Sequence, residues 1–103
     1  MSNFVLETKL RELDLLIDEV IINVNNKYKS LKNNIVDTNY KLLYNLYYTN
    51  TLESNKRIYT QRKMLIDVKM LDLYFYKLYK YNEISYSKYK NIILRITNLI
   101  VFI

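Results

Sequence analysis

Six amino-acid types are missing from the 103 residues: glycine, proline, cysteine, histidine, tryptophan and alanine. Without cysteine there is no disulfide framework and no thiolate metal site. Without histidine the chain lacks the commonest general base, the commonest metal ligand and the usual pH switch. Without glycine or proline, any tight turn at positive φ falls to asparagine. A β-rich fold needs many such turns, so their absence favours helices. Glycine, proline and alanine share GC-rich codons, whereas the abundant Lys, Asn, Ile and Tyr use AT-rich ones. A codon bias of that kind raises the lysine count without any selection for a polyanionic ligand.

Long apolar runs are missing too. The longest, IILRITNLIVFI, is broken by Arg95, Thr97 and Asn98 and falls well short of the roughly 20 residues of a membrane span. The first residues, MSNFVLETKLRELD, lack the basic and then apolar regions of a signal peptide. A soluble, cytoplasmic protein without a membrane partner is expected. Its length suits one domain, residues 1–103.

What is present is half apolar and basic, with net charge +6. The charge is uneven. Residues 1–26 hold five acids and two bases, and residues 27–103 hold fourteen bases and five acids. That asymmetry is more informative than the total.

Four amphipathic segments follow one another. Leu6, Leu10, Leu13, Ile17, Val20 and Val24 alternate four- and three-residue steps, which is the seam of a helix. The pattern fades at Asn23–Asn26, where an asparagine can cap in the left-handed region. The second segment carries Leu31, Ile35, Leu42, Leu43 and Leu46, with Thr38 and Asn39 interrupting the seam. Asn50 and Glu53 resemble a capping box for the third. That segment, Leu52 to Tyr81, shows one stripe at Met64, Val68, Leu71, Phe75 and Leu78 and a second at Ile66, Met70, Leu73 and Tyr76. No helix of a small bundle is central, so the second stripe is expected to form an oligomer interface. The fourth segment follows Ser85 with Tyr89, Ile92, Ile93, Ile96, Leu99, Ile100 and Ile103. Ser85 is a candidate N-cap, Ile84 and Tyr89 occupy the positions of a hydrophobic staple, and Asn82 is a candidate left-handed terminator. Four helices on short links predict an all-α, antiparallel up-down-up-down four-helix bundle.

No catalytic constellation emerges. Asp14 with Asp18, and Asp67 with Asp72, are the nearest approach to paired carboxylates, and a solvated face with Arg11 beside Asp14 accounts for the first pair. No cofactor and no metal site is expected, and a non-enzymatic role follows. The remaining signal is cationic and aromatic. Lys56, Arg57, Arg62, Lys63 and Lys69 run along the third segment, Lys77, Lys80, Lys88 and Lys90 surround the third link with Tyr76, Tyr79, Tyr81 and Tyr86, and Arg95 lies on the fourth helix. Lysine and arginine neutralise phosphates, and tyrosine stacks on unpaired bases. The nucleic-acid candidates are therefore Lys56, Arg57, Arg62, Lys63, Lys69, Lys88, Lys90 and Arg95. A solvated lysine face, with tyrosines packed at the bundle rim, is the competing explanation.

Tyr81, Ile84, Ser85 and Tyr89, running into Ile92, Ile93, Ile96 and Ile100, and the series Leu31, Ile35, Thr38, Leu43, Leu46, give the order of pieces a likeness. The chain resembles the Avd family, the accessory variability determinants of diversity-generating retroelements, and the related four-helix proteins of ribosomal RNA intervening sequences. The resemblance implies a ring-like homo-oligomer, a pentamer, that binds RNA or an RNA/DNA hybrid and docks on a reverse transcriptase. The chain departs from that pattern in the first link, NKYKS, at Asn34 and Val36, at Tyr74 or Tyr76, and in its Ile-Val-Phe-Ile ending. A helical oligomerisation or protein-interaction module without nucleic-acid binding is the alternative.

Overall fold

The computed structural model describes residues 3–103. Four helices, α1 (Asn3–Ile21), α2 (Lys29–Asn50), α3 (Ile58–Lys80) and α4 (Tyr86–Ile100), form a bundle 43 Å long. Each helix packs on its neighbour in sequence, and α1 closes the ring on α4. The pairs α1–α3 and α2–α4 therefore stand on the diagonals.

Side-chain contacts give the directions. Glu7 and Asp14 meet Tyr47 and Asn39 in reverse order. Tyr76 and Tyr79 meet Tyr89 and Tyr86 in the same manner. Every adjacent pair is antiparallel, as the short links require.

The seams meet in one core. Leu6, Leu10, Leu13, Ile17, Ile35, Leu42, Leu46, Met64, Val68, Leu71, Phe75, Leu78, Ile92, Ile96 and Leu99 are all buried. Thr38 and Asn39 do not interrupt the α2 seam; both are buried within it, with Thr49. Asn39 is tolerated there because its amide Nδ2 donates to Asp14 Oδ1 at 2.9 Å, although its own Oδ1 finds no partner. The buried hydroxyls of Thr49 and Thr60 bond across the α2–α3 seam, with Thr60 donating onward to the Arg57 carbonyl. Arg11 pairs with Glu7 at 2.8 Å and not with Asp14, since the four-residue step brings the two side chains together on one face.

The three links solve the missing-glycine problem differently. Asn82, at φ 61°, is the one non-glycine residue at positive φ among the described residues. Its N–H reaches the Tyr79 carbonyl and the Glu83 N–H reaches the Leu78 carbonyl at 2.9 Å, the two bonds of a Schellman terminus. Ser85 Oγ then accepts from the Lys88 N–H, so α4 starts on a real N-cap. Ile84 is buried and Tyr89 packs half-buried against the same core, the anchoring expected of a staple.

The other links differ from expectation. No asparagine after α1 is left-handed; Asn25 instead caps a 3₁₀ turn, Asn26–Tyr28, by accepting from the Lys27 N–H. Asn50 and Glu53 form no capping box, because α2 continues through Asn50 and Glu53 precedes a 3₁₀ turn, Ser54–Lys56, without a side-chain cap. Helix α3 consequently starts at Ile58 and not at Leu52.

Candidate nucleic-acid interface

Only one side of α3 is needed for the core. Residues 64, 68, 71, 75 and 78 point inward. At about 100° per residue the opposite side carries Tyr59, Arg62, Ile66, Lys69, Leu73, Lys77 and Lys80. All are exposed. The two acids of α3, Asp67 and Asp72, fall on its flanks, so the outward face is wholly basic and apolar. Lys77 and Lys80 also complement the negative end of the helix dipole.

The α2 flank of this face is a shallow cleft of about 380 Å3 lined by Lys41, Tyr44, Asn45, Lys63, Ile66 and Asp67. Tyr44 stands 68 % exposed on its rim and stacks on Tyr48 with ring centroids 6.3 Å apart. Across the cleft, Lys63 Nζ lies 6.0 Å from the ring centroid of Tyr59, itself 72 % exposed. Three open phenol rings and two ammonium groups therefore share one surface. Rings of this kind lose little on leaving water to stack, and the ammonium groups supply phosphate contacts along the strand. Burial pushes the Asp67 carboxyl above its ordinary value, and the Lys41 and Lys63 charges oppose that shift.

The sequence-predicted cations divide into four groups. Arg62, Lys63 and Lys69 stay together on α3. Lys56 and Arg57 precede α3, and the Arg57 Nε donates to the Leu52 carbonyl at 2.9 Å, holding the second link. Lys88 and Arg95 sit on the far side of α4, where they line clefts with Glu19 and Glu12 of α1. Those acids blunt their attraction for a polyanion. Lys90 lies exposed on the outer surface of α4. The second stripe of α3 is open as expected, with Ile66, Leu73 and Tyr76 exposed and Met70 half-buried.

The tyrosines near the third link are already occupied with each other. Tyr79 stacks on Tyr89 at 5.0 Å and meets Tyr86 at 5.6 Å, and Tyr28 stacks on Tyr81 at 5.1 Å. Burial, then the nearby Asp72 charge, pushes the Tyr89 hydroxyl up. These rings lock the closed end of the bundle, where the Glu83 carboxylate also accepts from the Asn25 N–H at 2.6 Å. Tyr40, Tyr44 and Tyr48 are also exposed, at four-residue steps along the outside of α2, with Tyr44 stacked on Tyr48. The signal that could have found them is that spacing, set off from the α2 seam.

No group of three or more metal-ligating side chains occurs among the described residues, and no helix there is long and apolar enough to cross a membrane. Comparison of the chain with family models, with curated proteins and with solved structures finds no match.

Proposed function

We propose that the protein is a non-enzymatic accessory factor that binds single-stranded RNA, or the unpaired part of an RNA/DNA hybrid, on the α2–α3 face. One observation supports this above the others: Tyr44, Tyr48 and Tyr59 stand open beside Lys41 and Lys63, on the side of the bundle away from the acids of α1. Bases stack on the rings, and the cations follow the phosphates. The resemblance to Avd gives the setting: a homo-oligomer that presents template to a reverse transcriptase.

Titration of a fluorescently labelled single-stranded RNA, read by anisotropy at several salt concentrations, tests the reading. Binding should weaken steeply with salt, and Tyr44→Ala should lose about 1–3 kcal/mol, the usual value of one stacked base. Absence of binding even at low salt would leave the interaction module, for which the exposed Ile66 and Leu73 speak.

A further inference from the structure

The outward faces of α1 and α3 have the same layout and opposite charge. On α1, Leu15 is 65 % exposed, and Ile22, just past the end of the helix and seven residues on, is 75 % exposed. Between them lie Asp18 and Glu19, and Glu12 precedes them, all exposed acids. The one base on that face, Arg11, is already paired with Glu7. On α3, Tyr59, Ile66 and Leu73 repeat at the same seven-residue step. Arg62, Lys63, Lys69, Lys77 and Lys80 flank them, with no acid on the outward side. Apolar residues at a seven-residue step supply one of the two apolar positions of a helix-packing repeat, and the flanking charges select the partner.

We propose that the outward face of α1 docks on the outward face of α3 of a second copy, giving a head-to-tail assembly. Three observations lead to this occupant. The charges are complementary between the two faces and repulsive for either face against itself, which disfavours a two-fold α3–α3 dimer. The faces match in length: Phe4 to Ile21 spans about 26 Å of helix and Tyr59 to Lys80 about 32 Å. And α1 and α3 are diagonal, so one copy offers both faces at once, on opposite sides. Two different surfaces meeting in this way propagate, and they close into a ring where the rotation allows. The contact deepens the homo-oligomer half of the function proposed above; it shares Tyr59 and Lys63 with the RNA-binding half and leaves Lys41, Tyr44 and Tyr48 of α2 outside the contact.

The test uses light scattering on the full chain without RNA. The wild type should run at a multiple of 12.6 kDa. Lys69→Glu with Lys77→Glu should reduce the mass to that of one chain, and so should Asp18→Lys with Glu19→Lys. Mixing the two variants in equal amounts should restore association, in alternating order and so in species of even number, because each then offers the face that the other needs. Circular dichroism of each variant checks that the helices are intact, and recovery on mixing excludes misfolding as the cause of dissociation. A monomeric wild type would overturn both the contact and the homo-oligomer. An assembled wild type that neither reversal dissociates, or dissociated variants that stay apart on mixing, would overturn the α1–α3 contact alone.

Discussion

Helices α1 and α3 are alike on the inside and opposite on the outside. Each contributes a four-three seam to the same core: Leu6, Leu10, Leu13, Ile17 and Val20 from one, Met64, Val68, Leu71, Phe75 and Leu78 from the other. Outward, α1 presents acids and α3 bases, and the bundle sets them on one diagonal. The difference teaches that the fold constrains only half of each helix. The free half is where a small bundle of this composition can acquire a partner.

The inward likeness should be the costliest to break. Phe75→Ala on α3 is expected to lose about 3–5 kcal/mol and Leu10→Ala on α1 about 2–5 kcal/mol, by denaturant unfolding, because each leaves a cavity among fully buried neighbours. A small loss at one site only would mean that the two seams are not equivalent.

The outward contrast should appear in binding and not in stability. Arg62→Ala is expected to weaken RNA binding by about 1.5–3 kcal/mol and to lower the salt slope by about one. Asp18→Ala on α1 should leave both unchanged. Anisotropy titrations at several salt concentrations measure the pair, and an equal response from both helices would remove the contrast.

The ends of the two helices differ as well. Asn82→Ala after α3 is expected to cost about 1–2 kcal/mol in thermal unfolding, with Asn82→Gly close to neutral, because alanine lacks the short polar side chain that makes asparagine tolerable at φ 61°, and glycine has no Cβ to strain. Asn23→Ala after α1 should change stability by less than about 0.5 kcal/mol, since nothing there is left-handed.

The smallest effect concerns Asp67. Its folded value lies above the unfolded one, so its contribution favours folding below the ordinary 3.8 and is lost as pH rises through the folded value. Asp67→Asn should therefore stabilise the fold slightly at neutral pH, by less than about 1 kcal/mol for a half-buried group, and raise the melting temperature, with the gain vanishing in acid. Removing a negative charge from the cleft should also tighten RNA binding.

The legible parts of the sequence were those governed by local rules. The seams of α1 and α4, the Ser85 cap and the Asn82 terminator each depend on residues within one or two turns. Asn39 was not legible as core, because what permits it, Asp14, lies 25 residues away on another helix. The start of α3 was obscured because no glycine or proline marks the second link, and because Asn50 with Glu53 imitates a cap. For the candidate site, the grouping of Arg62, Lys63 and Lys69 follows from helical spacing alone. The removal of Lys88 and Arg95 to the clefts beside Glu19 and Glu12 depends on which helices pack together. The tyrosine row on α2 was overshadowed by the denser cluster near the third link, whose rings are engaged with one another.

The diagonal placement of α1 and α3 makes the molecule an electric dipole across its short axis. Helix α1 carries five acids against two bases, and α3 five bases against two acids. With packed helices about 8–10 Å apart, opposite charges of three across a diagonal of about 11–14 Å correspond to a moment of roughly 200 debye. A second copy feels that moment before the two molecules touch. The pair would turn until α1 of one faces α3 of the other, so that encounters begin in the right orientation and fewer are wasted.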